Sequence, residues 1–194
     1  MTLDDIGDPL DSIDDPPDDD LTRWCARALE LGADAATPLA PGLVVTAEWV
    51  RLKCQFGCDG YGRCRTCPPD SPTPRQTRRL LDEYARAILL RRGPHTVYDE
   101  HDQHYVALRR TAADLERELF LAGHHKAWSM SNGPCDVCDV CDREQPCVDP
   151  AHARPSLEAC GIDVFATVRA AGWEIEVVRD RNDQYRFFAL VLVD

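Results

Sequence analysis

Four thiols crowd into thirteen residues at Cys135, Cys138, Cys141 and Cys147. The first three are two residues apart, a spacing that turns the chain far enough to aim successive sulfurs at one small object. Disulfides within such short loops are strained, whereas a metal centre uses all four thiols at once. The pattern C-x2-C-x2-C-x5-C lies close to the bacterial ferredoxin run, whose last spacer is three residues with proline directly after it. Here the proline is Pro150, three residues past Cys147. The crowded triple favours a [4Fe–4S] cluster. Zinc is the alternative, because it also takes four cysteines, although its sites more often pair two separated C-x2-C knuckles.

A second motif precedes it at Cys54, Cys58, Cys64 and Cys67, followed by Pro68-Pro69 and interleaved with glycines at 57, 60 and 62. Glycines let backbone amides approach sulfur, and N–H···S contacts stabilise thiolates and raise a cluster's potential. With all four cysteines as ligands the centre is closed, suited to structure or electron transfer. With three, one metal position stays open to substrate, the distinction that separates structural from catalytic zinc. One or two clusters per chain are consistent with this supply, and so is a single centre shared by both loops.

The elements that must position these loops read as α+β. Apolar residues at helical spacing (Leu21, Trp24, Cys25, Ala28, Leu29) predict a helix over 21–31 that Gly32 stops. Residues 43–50 read as a strand running into the first motif, and 51–74 as a loop folded around something. Residues 75–87 have helical character, with a helix ending near Glu83, and 85–90 suit a strand as the alternative; Gly93-Pro94 closes that element. The clearest helix covers 102–121, with Tyr105, Leu108, Ala112, Leu115 and Leu119 on one face and charged residues on the other. A short strand over 125–130 feeds the second motif. Ser156 caps a turn, and Asp163 caps a helix over 164–171 that Gly172 ends. Residues 173–178 and 186–193 alternate and predict a C-terminal β-hairpin. The sum is a mixed sheet with flanking helices and two cysteine-rich metal-binding loops.

Composition narrows the functional classes. At 194 residues the chain can bury a core, and no apolar run reaches the length of a membrane span. The formal net charge is −12, but nine Asp fall in residues 1–20 with no Lys or Arg. The expectation is an acidic, disordered tail over 1–20 and one metal-binding domain over 21–194. The rest carries 25 acidic and 22 basic residues, too even a balance for a nucleic-acid binder. Ten cysteines without an export signal argue for reduced thiolates in the cytoplasm.

Both motifs, in order across residues 50–170, resemble an uncharacterised bacterial and archaeal family described as cysteine-rich predicted metal-binding proteins. The residues that carry the resemblance are Lys53-Cys54, Cys58, Tyr61-Gly62 and Cys67-Pro68-Pro69, then Gly133-Pro134-Cys135, Cys138, Cys141, Cys147 and Pro150. It continues through Arg154-Pro155-Ser156-Leu157-Glu158-Ala159 and Gly161-Ile162-Asp163-Val164. The resemblance implies a metal centre of iron–sulfur type and supplies no reaction. In the family pattern Cys54, Cys58 and Cys67 belong and Cys64 is an addition, which favours the open, three-thiolate version of the first site.

Local charge adds a functional expectation. Residues 51–79 hold seven Arg or Lys against Asp59 and Asp70, whereas 135–149 hold five Asp or Glu against Arg143. A cluster in positive surroundings is easier to reduce, so the second centre is expected to pass electrons to the first, and the first to suit an anionic substrate. Cys25 and Cys160 read as core, His124-His125, His101 and His104 as surface or helix-end histidines, and Tyr61 as a packed loop anchor. Arg154 and Glu158 have two readings, an anchoring turn or a clamp on substrate or cluster. The function expected is iron–sulfur redox or sulfur-transfer chemistry on a small anionic substrate, served by a redox partner protein. The alternatives are a non-catalytic electron carrier and a zinc-binding interaction module.

Overall fold

The computed structural model describes residues 19–194. The elements run α1 (Asp19–Glu30), β1 (Ala35–Leu39), α2 (Glu48–Gly57), α3 (Pro74–Leu81), β2 (Ala87–His95), α4 (His101–Leu121), β3 (Trp128–Met130), α5 (Val164–Ala170) and β4 (Tyr185–Leu192). The fold is α+β. Its sheet is antiparallel throughout, in the order β1-β2-β4-β3, so the expectation of a mixed sheet is corrected.

β2 and β4 form the centre because their sequences suit burial on both faces, where strands read as continuous apolar runs rather than alternating ones. Ile88 and Leu90 of β2, with Ala189 and Val191 of β4, face α1 and α4 and pack with Trp24, Ala28, Leu108 and Leu115. Leu89, Phe188, Leu190 and Leu192 face the other way, onto Leu81 of α3, Val168 of α5, Leu157 and Ile162. Cys25 lies in the first core and Cys160 in the second, both as expected.

Local signals set several boundaries. Thr73 and Gln76 form a reciprocal capping box that starts α3, with Pro74 at its first position. The Asp163 carboxylate accepts from the Ala166 amide at 3.0 Å and starts α5. The first elements of the chain differ from expectation. Residues 43–50 are not a strand: a 3₁₀ turn at Pro41–Leu43 leads to α2, which carries Cys54 inside the stretch expected to be loop. Residues 87–95 take the strand alternative, and β2 continues through Gly93-Pro94 to His95 with a register shift after Arg92.

The C-terminal hairpin is also corrected. Residues 173–178 are not a strand, and β4 pairs with β2 along one edge and with β3 over Leu190–Leu192 on the other. The expected tail over 1–20 lies outside the described residues except for Asp19 and Asp20, which begin α1. The Asp20 carboxylate pairs with Arg23 at 2.7 Å.

Candidate metal centre

One short segment, residues 156–163, braces both cysteine loops. The second loop leaves β3 at Ser131 and returns at Pro155, and its ends are joined by the Ser131 amide on the Pro155 carbonyl and the Leu157 amide on the Ser131 carbonyl, each at 2.9 Å. On the other side, the Asp163 amide donates to Val45 at 2.8 Å and the Ala47 amide to Gly161 at 2.9 Å, fixing the approach to α2. Arg51 of α2 then donates to the Ala159 carbonyl at 2.6 Å and the Ser71 hydroxyl at 2.8 Å. The Thr77 hydroxyl of α3 donates to the Cys160 carbonyl at 2.6 Å. Gly161 sits at φ +75°, and a Cβ there would fall 2.3 Å from Pro74 Cγ.

The first motif is thereby split between a helix and a loop. Cys54 is on the last turns of α2, Cys58 follows its end, and Cys64 and Cys67 lie in successive tight turns. Cys54, Cys58 and Cys67 open onto a cavity of about 310 Å³, walled by Trp49, Val50, Pro68, Pro134, Val164 and Phe165. Gly60 lies between two of these thiols: a Cβ built on it would be 3.5 Å from Cys58 Sγ and 3.6 Å from Cys67 Sγ. Burial, then the neighbouring Cys64 and Cys58, push the Cys67 thiol up to about 12. Burial and Cys58 also raise the Cys54 thiol, opposed by Arg51. Cys64 does not line the cavity.

The two loops are clasped to each other by a reciprocal pair of arginines. Arg65 of the first loop donates to the Arg143 and Gln145 carbonyls, the latter at 2.6 Å. Arg143 of the second loop donates to the Gly62 carbonyl at 2.9 Å and pairs with Asp70 at 2.5 Å. In the second loop, burial and then Cys135, Cys141 and Cys147 raise the Cys138 thiol. The two cysteine loops are thus neighbours in the fold.

Helix α4 holds the second loop through residues whose role the sequence reading missed. Arg109 is 4% exposed, donates to the Asn132 and Gly133 carbonyls at 2.9 and 3.2 Å, and pairs with Asp136 at 2.9 Å. The Tyr105 hydroxyl donates to the Pro134 carbonyl. Glu116 accepts from Arg154 at 2.8 and 2.6 Å and from the Ser129 amide and hydroxyl at 2.8 and 2.6 Å. Arg109 and Glu116 are charged side chains of an amphipathic helix, which are ordinarily solvated, and only the return of residues 129–154 across α4 reveals their role. Glu116 also decides between the two readings of Arg154: its guanidinium anchors the chain to α4, as the turn reading expected, and it is not in the cavity.

The charge of the first loop is distributed differently from expectation. Arg51, Arg65 and Arg78 donate to backbone carbonyls. Lys53 is the cationic side chain lining the cavity, together with the carboxylates of Glu158 and Asp163. The surroundings of the three thiols are therefore mainly apolar. Tyr61 lines the same cavity. His124 pairs with Asp194 at 3.2 Å and Asp20 at 3.4 Å, and His104 contacts the Tyr185 hydroxyl at 3.0 Å, so these histidines serve the body of the fold.

The donor chemistry fits a thiophilic metal: all ten cysteines are unbridged, and eight of them lie in the two clasped loops. Among the described residues, no group of three or more His, Cys, Asp or Glu side chains is close enough to a common point to hold an ion as it stands. The fit is thus in donor type and neighbourhood, not in closed coordination geometry.

The comparisons with known proteins agree in kind. The family described as "Predicted metal-binding protein (DUF2284)" matches residues 37–193, and the chain belongs to that family. Neither a curated protein nor a solved structure matches it. Membership makes this a cysteine-rich protein of a predicted metal-binding class. Among the described residues no helix is long and apolar enough to cross a membrane.

Proposed function

We propose that the protein is an iron–sulfur protein whose two loops divide the work. Cys54, Cys58 and Cys67 hold the reactive centre, and the second-loop thiols Cys135, Cys138, Cys141 and Cys147 hold an electron-transfer centre behind it. The observation that carries this reading is that the three family thiols share one cavity of about 310 Å³ that no second-loop thiol lines. A cluster held by three thiolates supplies one-electron chemistry with an open iron position, suited to reduction of a small molecule or to sulfur transfer.

The chain's own residues define what can enter. Trp49, Val164 and Phe165 give the cavity an apolar wall. Lys53 offers one ammonium group to a small anionic substrate, beside Glu158 and Asp163, and the remaining walls suit an apolar body. Electrons are supplied by a partner protein at the second loop, where Val140 and Val148 are 82% and 76% exposed. Ten unbridged cysteines suit a reducing compartment, and the cytoplasm is the proposed location.

The test is purification without oxygen, followed by iron and acid-labile sulfide counts and an absorption spectrum. The reading expects a brown protein with four to eight iron atoms per chain, on the order of one or two clusters, and broad absorption near ~400 nm. A colourless protein carrying zinc overturns it.

A further inference from the structure

We propose that Cys64 belongs to the second thiol set, as a fifth sulfur available to the centre of Cys135, Cys138, Cys141 and Cys147, and that it is the sulfur through which the two sets touch. The proposal rests on the reading of both loops as metal sites but not on the identity of the metal.

Three observations carry it. First, the backbone on either side of Cys64 is fastened to the second loop. The Gly62 carbonyl accepts from Arg143 at 2.9 Å, and the Arg65 guanidinium donates to the Arg143 and Gln145 carbonyls. The two turns that contain Cys64 are therefore held against residues 143–145 from both ends. Second, Cys64 Sγ lies 3.9 Å from the Cys135 carbonyl oxygen, while Cys54, Cys58 and Cys67 face the cavity that Cys64 does not line. Third, after burial, the second-loop thiols Cys141, Cys135 and Cys138 are among the groups that raise the Cys64 thiol, in keeping with its contact to the Cys135 carbonyl. Cys67 of the first loop also acts on the Cys64 thiol, and this pair is where sulfur of one set approaches sulfur of the other.

Sequence spacing points the other way, because Cys64 and Cys67 form a C-x2-C pair that reads as two ligands of one metal. The arginine clasp gives them different surroundings: Cys67 is buried and lines the cavity, whereas Cys64 lies against the neighbouring loop. Donor sets thus divide three and five, leaving the cavity centre one protein ligand short and the second centre with a surplus.

Thiol footprinting of the full-length, metal-free protein tests this directly. Cadmium ion is added in steps up to two equivalents, and free thiols are labelled with N-ethylmaleimide and located by peptide mass spectrometry. The proposal expects protection of Cys64 to rise in step with Cys135, Cys138 and Cys141. Protection in step with Cys54 and Cys58, or in step with neither set, overturns it.

Cobalt(II) absorption provides a second measurement on two variants. One carries serine in place of Cys54, Cys58, Cys67 and Cys147, leaving Cys64 with Cys135, Cys138 and Cys141. The other carries serine in place of the four second-loop cysteines. Adding Cys64→Ser is expected to lower the sulfur-to-cobalt charge-transfer intensity of the first by about a quarter, as four thiolates become three, and to leave the second unchanged. The reverse pattern, or no cobalt binding by the first variant before Cys64 is replaced, overturns the proposal. Failure of the iron–sulfur reading is separable: a protein that holds no iron but gives the expected cadmium and cobalt patterns loses its redox function and keeps its donor assignment.

Discussion

Arg109 of α4 and Asp136 of the second cysteine loop form an ion pair at 2.9 Å, with the guanidinium 4% exposed and the carboxylate about a third exposed. The same guanidinium donates to the carbonyls of Asn132 and Gly133, so one buried side chain fastens the start of the loop to the core. Removing one partner of a buried charge pair leaves the other groups unsatisfied. Arg109→Met is expected to lower stability by about 3 kcal/mol in urea unfolding. It should also speed alkylation of Cys135 and Cys138 relative to Cys54, because the loop loses its tether. Equal rates in variant and parent would show that the clasp at Arg65 and Arg143 holds the loop alone.

Gly133 lies against Tyr105 of α4. Its φ is +54°, and a Cβ there would fall 2.4 Å from Tyr105 Cε2. Gly133→Ala is therefore expected to cost more than ~1 kcal/mol from backbone conformation alone, with ring overlap added. Tyr105→Ala in the same chain relieves the overlap but not the conformational cost. A double-mutant cycle by thermal unfolding should thus give a coupling energy that is favourable to the double variant. Additive losses would mean that the ring moves aside freely.

Helices α1, α4 and α5 were legible because each carries its own stop or start: Gly32 after α1, an apolar stripe along α4, and Asp163 before α5. α2 was hidden by the β-branched run at Val44–Thr46 and by apolar residues on its outer side. Trp49, Leu52 and Phe56 are 46%, 56% and 78% exposed, so they mark helical spacing without marking a core. β1 contains Pro38 and shows no alternation, and it exists because β2 offers an edge. Residues 173–178 alternate well, yet they form no strand and take no place in the sheet. Trp173 instead stacks against Arg91 and packs near Phe188. The two cysteine motifs stand out in the sequence by type and spacing. The proximity of the two loops does not, because the clasp between Arg65 and Arg143 joins residues 78 apart that no local pattern connects.

Asp194 provides a pH-dependent contribution remote from the cysteines. Its carboxyl is held below the ordinary range, first by the hydrogen bond from Arg86 and then by His124. A carboxyl whose folded pKa is depressed adds stability at pH values above its unfolded pKa, roughly 3.9, and that contribution is lost as pH falls through the folded value. Asp194→Asn should therefore lower Tm at pH 7, and the difference from the parent should shrink toward zero as the buffer is taken below pH 4. A difference independent of pH would assign the loss to packing.

The two core cysteines should behave as internal controls for the eight in the loops. Burial pushes the Cys25 thiol up to about 11 and the Cys160 thiol up to about 12, while Cys58 is exposed. Alkylation requires thiolate, so in the metal-free folded protein Cys58 should react with iodoacetamide about 100-fold faster than either. Cys25 and Cys160 should become reactive only with global unfolding in urea. Early modification of Cys160 would mean that the segment 156–163 opens locally, and with it the brace common to both loops.

The reduction potentials of the two centres should differ in a fixed order if the iron–sulfur reading holds. Asp139, Asp142 and Glu144 lie between the second-loop cysteines in sequence, and Arg143, the cation of that loop, is paired with Asp70 at 2.5 Å. At the three-thiol cavity Lys53 offsets one of the two carboxylates, Glu158 and Asp163, and the other walls are mainly apolar. Negative surroundings oppose the extra electron of a reduced cluster, so the second centre should have the lower potential and act as donor to the first. Potentiometric titration followed by EPR is the measurement, on the parent and on the triple variant Asp139→Asn, Asp142→Asn and Glu144→Gln. The neutralised variant should shift the second potential upward and leave the first nearly unchanged. A second-loop potential above that of the cavity centre in the parent would reverse the direction of electron flow and move the site of chemistry to Cys135–Cys147.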